Sequence, residues 1–289
     1  MAIGLGELVG RGSRSSVYAW GRGAVAKFPD PATPDSWIHA EAAYTAAVRE
    51  AGAPAPQVLG IEQVEGRPVV IYERIHGPSM WQYVVDHPDR APRYGRTLGE
   101  LHADLFDLVP PMGLPDQLDR LRSKIRWAAD HIDPALSGAL ALLPVGDRAF
   151  LCHGDLHPGN VILSPEGPII VDWFDASRGS SAADVARTSL LLSADGLQAP
   201  QHLPGADSDT LGLLADAYVA FMQKRLGITV EALGQWQAVE AVARLAEGVD
   251  PPQLLNVWYR HDRRPHVAAV PSPADAAQTC DWKGQPTGG

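Results

Sequence analysis

One stretch of this chain constrains its fold more than any other: His153-Gly154-Asp155, then Asn160, then Val171-Asp172-Trp173. Between Asn160 and Asp172 lie two apolar runs, Val161-Ile162-Leu163 and Ile169-Ile170-Val171. They flank Ser164-Pro165-Glu166-Gly167, which has the composition of a turn. Two strands joined by a turn bring Asn160 and Asp172 back to the same end of a hairpin. On the tight loop ahead of them, Asp155 can set a carboxylate beside a metal ligand. Phosphoryl transfer needs this kind of oxygen cluster: a carboxylate near the acceptor hydroxyl, and hard ligands for magnesium on the β- and γ-phosphates.

The order of elements around this stretch fits that chemistry. The first part of the chain reads as strands. Leu8-Val9-Gly10 leads through a Gly/Ser-rich turn into Val17-Tyr18-Ala19-Trp20, and Gly21-Arg22-Gly23 turns into Ala24-Val25-Ala26-Lys27-Phe28. A loop with Pro29, Pro31 and Pro34 precedes an Ala-rich helix predicted from about Asp35 to Ala51, with an N-cap candidate before it and Gly52 at its end. Two further strands are predicted over Val58 to Val64 and Pro68 to Arg74. From Gly77 onward the periodicity is helical: Tyr94 to Leu105, the run Leu118, Leu121, Ile125 and Ala128, then Asp184 to Leu192, Asp209 to Arg225 and Val230 to Glu247. The residues after Val270 are rich in Pro, Ala, Gly and Thr and read as a loosely ordered tail.

The segment His153-Gly154-Asp155 to Asn160, with Val171-Asp172-Trp173, resembles the catalytic loop of the aminoglycoside phosphotransferase family, small-molecule relatives of the protein kinases. Gly154 stands where protein kinases carry Arg, and Asp-Trp where they carry Asp-Phe-Gly; both departures point to the small-molecule branch. The resemblance implies an α+β, bilobal protein-kinase-like fold. Residues 1–76 would form a small β-rich nucleotide-binding lobe, 77–270 a larger helical catalytic and acceptor lobe, and 271–289 the tail. It implies ATP and Mg2+ as cofactors, Asp155 as catalytic base, and Asn160 and Asp172 as metal ligands.

The same resemblance assigns nucleotide contacts. Gly12, Ser13 and Ser15 would cover the phosphates, although Ser15 replaces a glycine of the protein-kinase loop. Val17 and Val25 would cover the adenine, and Lys27 would pair with the α- and β-phosphates. Glu41 is the expected ion-pair partner of Lys27, with Glu50 as the alternative. Backbone groups of Glu73 and Ile75 would bond the adenine edge. Ile162 and Val171 form either the floor beneath the base or plain core. His157 either contacts the transferred phosphate or caps the loop, while His153 supports it. Asp184 is expected to anchor the loop through backbone hydrogen bonds, and His102 to be a core histidine.

A formal net charge of −10 over 289 residues argues against a nucleic-acid binder and is compatible with a cationic small-molecule acceptor. No apolar run is long enough for a membrane helix, and the N-terminus lacks a secretory pattern. The two cysteines, Cys152 and Cys280, form no metal-like spacing and fit a reducing cytoplasm, Cys152 as a small core residue. Asp175, Glu240, Glu247 and Asp250 are the acidic candidates for holding an acceptor's ammonium groups, with Trp236 and Trp258 as walls. The expected activity is transfer of the ATP γ-phosphoryl to a hydroxyl of an aminoglycoside or related antibiotic. The alternatives are a metabolic kinase for an amino sugar, choline, homoserine or other small alcohol, and, in another class, a catalytically silent nucleotide-binding module.

Overall fold

A computed structural model describes residues 5–12, 15–143, 149–193, 205, 208–248 and 251–262. Ser13, Asp250, Cys280 and the tail after 270 lie outside these residues.

The first lobe is a five-stranded antiparallel sheet in the order β1-β2-β3-β5-β4. The strands are β1 (Leu5–Arg11), β2 (Ser15–Trp20), β3 (Ala24–Pro29), β4 (Val58–Val64) and β5 (Arg67–Glu73), with helix α1 (Asp35–Glu50) inserted after β3. Gly21 and Gly23 take left-handed backbone angles (φ 59° and 77°) at the β2–β3 turn, as tight hairpins require. Directly paired residues of antiparallel strands share a face. The pairs Val17–Lys27, Lys27–Val70 and Val25–Tyr72 therefore put these residues on one face. On that face Val25, Val58 and Ile61 pack with Val70, Tyr72 and the α1 residues Ile38 and Ala42. The opposite face carries Ala24, Ala26, Val69 and Ile71 beneath Trp20, Phe28 and Val64. Two local expectations need correction. Pro29 closes β3 instead of opening a loop, and the N-cap position of α1 is Pro34, which makes no side-chain capping bond. Asp35 in the first turn complements the helix dipole instead.

The second lobe is mostly helical: α2 (Met80–Asp86), α3 (Ala91–Phe106), α4 (Gln117–His131), α5 (Ser181–Leu191), α6 (Ser208–Leu226), α7 (Val230–Arg244) and α8 (Pro251–Asp262). The predicted helix over 230–247 is α7 followed by a tighter 3-10 turn, Leu245–Glu247. Gly95 and Gly99, one turn apart on α3, let α6 approach closely. A Cβ on Gly95 would lie 2.1 Å from the Leu214 carbonyl, and one on Gly99 2.6 Å from the Phe221 ring. The hairpin β7 (Val161–Ser164) with β8 (Gly167–Ile170) forms where the sequence places it. Two strands escaped the periodicity argument: β6 (Phe150–Cys152) and β9 (Ser177–Gly179), which pair with each other. Each is only three residues long, too short for an alternation to register.

Several contacts tie the small lobe, and the connector that follows β5, to the large lobe. Gly77, after β5, presses on β7: a Cβ there would fall 2.2 Å from the Leu163 carbonyl. Leu163 N–H donates to Pro78 O at 2.9 Å, and Ile170 N–H to Pro54 O at 2.7 Å. Helix α1 reaches the 3-10 turn Trp173–Asp175, where the Trp37 and Phe174 rings lie 5.6 Å apart. The α+β, bilobal kinase-like architecture follows from these elements and their order.

Candidate active site

The loop between β6 and β7 is held by one buried carboxylate. Asp184, fully buried in the first turn of α5, accepts from His153 N–H at 2.8 Å, from Gly154 N–H at 2.9 Å and from His102 Nε2 at 2.9 Å. Burial pushes its carboxyl up, but His102, His153 and the Gly154 N–H outweigh that and hold it below its ordinary value. His102, also fully buried, reaches the Tyr218 hydroxyl through Nδ1 at 2.7 Å.

Gly154 has φ +79°, and a Cβ there would sit 2.4 Å from the Asp175 carbonyl oxygen. An arginine does not fit this backbone, which is the physical content of the Gly-for-Arg exchange. His153 accepts the Asp155 N–H on Nδ1 (3.2 Å) and contacts the Val171 carbonyl through Nε2 (3.1 Å). That pattern assigns the proton to Nε2. Burial lowers the His153 pKa, consistent with a neutral ring.

Asp155 lies at the loop apex, its side chain 30% exposed. Its main-chain carbonyl accepts from Asn160 Nδ2 at 3.0 Å. The Asn160 carbonyl in turn takes the Val171 N–H at 2.9 Å, which closes the hairpin and brings Asp172 to the same end as Asn160. Asp172 has left-handed backbone angles (φ 65°, ψ 62°), uncommon outside glycine, which turn the chain abruptly after β8. His157 accepts the Gly159 N–H on Nδ1 (3.1 Å), and its Nε2 stands 3.9 Å from Asp155 Oδ2. It caps the turn and still faces the carboxylate.

From the other lobe, Lys27 Nζ donates to Glu41 Oε1 at 2.6 Å and to Asp172 Oδ1 at 2.9 Å. Burial alone would lower the Lys27 ammonium; Asp172 and Glu41 more than reverse this and keep it charged. The ammonium likewise offsets the burial that would raise Asp172, leaving that carboxyl lowered. Glu41, not the exposed Glu50, is the partner of Lys27, and the Tyr72 hydroxyl donates to Glu41 Oε1 at 3.0 Å.

The remaining nominated residues surround this centre. Val17, Val25 and Lys27 share the sheet face on which Lys27 meets Asp172. Ile162 and Val171 lie on the hairpin face that also bears Asn160; both are half-buried, whereas Val161 and Ile170 on the opposite face are fully buried. Glu73 spends its N–H on Gln57 O (3.0 Å) and its side chain on the Gln57 N–H (2.7 Å), and Ile75 follows in the half-buried connector. Gly12 donates to Ser15 O at 2.8 Å across the β1–β2 turn.

The acidic residues nominated for the acceptor are internally paired. Glu247 meets Lys124 at 2.6 Å and Arg187 at 2.7 Å, Glu240 is 4.0 Å from Arg187, and Asp175 is 3.5 Å from Arg120. Trp258 is core, 2% exposed, and not a pocket wall. Arg187 also touches Asp155 and was missed by the sequence reading. Its only signal was a cation inside the otherwise uncharged run Val185-Ala186-Arg187-Thr188-Ser189-Leu190.

The oxygen set fits a hard divalent cation. Asn160 uses its amide nitrogen internally, which leaves Oδ1, and Asp172 supplies a carboxylate. No group of three His, Cys, Asp or Glu arranged to hold a metal ion occurs among the described residues. Two protein oxygens suit magnesium, which takes one or two side chains and completes its shell with phosphates and water. No helix among the described residues is long and apolar enough to cross a membrane.

Comparison with known proteins agrees with this geometry. A stretch of 164 residues is 24% identical to the serine/threonine-protein kinase PknA of Mycobacterium tuberculosis. The match covers 53% of this chain and 37% of that kinase, so the chain corresponds to well under two thirds of that relative. A thermostable mutant of aminoglycoside phosphotransferase APH(4)-Ia superposes with a TM-score of 0.60 at 17% identity, over 90% of this chain and 94% of that one. A choline/ethanolamine kinase family protein from Mesorhizobium loti superposes with a TM-score of 0.56 at 16% identity, over 91% and 88%. At these identities the superpositions speak for the fold. The sequence model of the phosphotransferase enzyme family, APH, matches residues 7–208, most of the described chain. The chain therefore belongs to the APH phosphotransferase enzyme family.

Proposed function

We propose that this chain transfers the γ-phosphoryl group of ATP to a hydroxyl of a small molecule. The observation that carries this reading is the direct bond between Lys27 of the small lobe and Asp172 of the large one, at 2.9 Å, at the hairpin end that also holds Asn160 and the Asp155 loop. This bond supports the reading because it sets the small lobe's cation against one of the two nominated oxygen ligands, at the hairpin end next to the partly exposed Asp155 carboxylate.

In the proposed mechanism Asp155 orients the acceptor hydroxyl and takes its proton. The acceptor oxygen forms a bond to the γ-phosphorus as the bond to the β-phosphate oxygen breaks, and ADP leaves. Lys27, held by Glu41, stabilises the charge on the phosphates. Magnesium, when bound by Asn160 and Asp172, supplies the charge that the phosphate oxygens need. Gly10 and Gly12 are not forced by left-handed backbone; among the described residues a Cβ on Gly10 would meet nothing within 4 Å, and one on Gly12 only ordinary contacts with Ser15. The open space over that backbone suits close approach of phosphates. Glu73 offers the adenine its carbonyl, since its N–H is engaged, and Ile75 its N–H. Val17 and Val25 cover the base, with Ile162 and Val171 beneath it. Positioning and electrostatics supply the rate.

For the acceptor, an aminoglycoside or related antibiotic is proposed first. The internal pairing of Glu240, Glu247 and Asp175 favours a second reading, a small alcohol with little positive charge. A coupled ADP-release screen over aminoglycosides, other antibiotics, amino sugars, amino alcohols and uncharged alcohols and sugars separates the two. Asp155→Ala should reduce turnover by roughly 10³-fold or more with ATP affinity nearly unchanged. Full activity in that variant would refute the assignment.

A further inference from the structure

Beneath Asp155 lies a buried charge cluster that the proposed mechanism does not use. Arg187 on α5, its side chain 6% exposed, grips Glu247 with both arms: Nη1 to Oε1 at 2.7 Å and Nη2 to Oε2 at 3.0 Å. Its Nη2 also donates to Asp155 Oδ1 at 3.1 Å. Glu247, in the 3-10 turn after α7, is held from two further sides, by Lys124 of α4 at 2.6 Å and by Arg244 at 3.6 Å. Glu240 of α7 stands 4.0 Å from Arg187 Nη1. Glu247, itself held by Lys124 and Arg244, and Glu240 thus hold one guanidinium, and the guanidinium holds one oxygen of Asp155.

We propose that Arg187 is a positioning residue for phosphoryl transfer: it binds Oδ1 of Asp155 and leaves Oδ2 as the oxygen that meets the acceptor hydroxyl, with Glu247 setting the angle of its guanidinium. This rests on the reading of Asp155 as the base. The geometry favours it over a purely structural tie. Buried ion clusters bring little net stability, and apolar residues of similar volume serve as well or better. A planar fork held bidentately, by contrast, has little rotational freedom, so the carboxylate bonded to it is aimed before substrate arrives. The other oxygen, Oδ2, is the one that His157 Nε2 approaches, at 3.9 Å.

The test uses the full-length protein with magnesium-ATP. ADP release is followed with water as acceptor and with whichever compound turns over fastest in the screen above. Arg187→Ala should lower kcat roughly 10²-fold while KM for ATP stays within about threefold. Guanidinium ion at low, non-denaturing concentration should restore part of that loss, and Arg187→Lys should fall between the two. Glu247→Gln, which keeps the shape, should lower kcat about 10-fold with the same KM pattern. Folded Arg187→Ala or Glu247→Gln protein with wild-type kcat would overturn the proposal. So would a loss confined to KM, or failure of both variants to fold, since the cluster would then serve stability alone. Asp155→Ala separates the two claims. If it retains activity the reading of the site fails. If it is inactive while Arg187→Ala is normal, only the role of Arg187 fails.

Discussion

Asp184→Asn removes one charge from a fully buried position and changes almost no volume. The carboxylate accepts three hydrogen bonds, two from the backbone of the His153–Gly154 loop and one through His102 Nε2. An asparagine must turn its NH2 either toward Gly154 N–H or toward His153 N–H and His102. His102 can adapt by moving its proton to Nδ1 and donating to Tyr218, but a backbone N–H cannot. In either orientation at least one loop N–H loses a charged acceptor and stays buried without a partner. The lost charge-assisted bond is about 1.5–3 kcal/mol and the stranded donor another 1–3, so about 3–5 kcal/mol is expected. For a domain of this size that corresponds to a fall in Tm of roughly 10 °C. Because Asp184 titrates below its ordinary value in the folded chain, its contribution is fully present above about pH 4 and disappears as pH falls through the folded value. The difference between wild type and Asp184→Asn should therefore shrink on acidification below that point. Thermal and urea unfolding at pH 7 and at pH 3.5 measure both effects. A variant that unfolds within about 2 °C of wild type at pH 7 would refute the accounting.

Further outcomes follow from single contacts. Gly154→Ala adds a Cβ at 2.4 Å from the Asp175 carbonyl and places it on left-handed backbone, a cost of about 2–5 kcal/mol readable by urea unfolding; an unchanged midpoint would show that the loop yields freely. Glu240 is pushed up to about 7 by burial, which outweighs Arg187 and Lys124. The folded state then holds a proton that the unfolded chain releases between about pH 4.5 and 7, so wild-type stability falls across that window. Glu240→Gln should be more stable than wild type by up to about 3 kcal/mol at pH 8 and equal to it at pH 4.5, by denaturation at both values. Glu41→Gln leaves Lys27 with Asp172 alone and should lower kcat/KM for ATP by on the order of 10²-fold with little change in Tm, as steady-state kinetics and thermal unfolding would report.

The sequence by itself determined the elements with strong periodicity and the loop with fixed spacing. Strand alternation set Val17, Val25 and Lys27 on one face, and the hairpin after Asn160 obliged Asp172 to return beside it, because a two-strand turn has no other geometry. Helix α1 was legible from its composition, while Glu41 as the partner of Lys27 came from the family resemblance, and the structure decides for it over Glu50. Spacing could not reveal partners drawn from distant segments. Arg187 under Asp155, Glu247 under Arg187 and Tyr72 on Glu41 are contacts between separate elements, and no local pattern encodes them. The same limit misled the reading of the acceptor wall. Glu240 and Glu247 look like free acids on an amphipathic helix, yet packing of α4, α5 and α7 turns them inward, where desolvation obliges each buried carboxylate to find a cation within the protein.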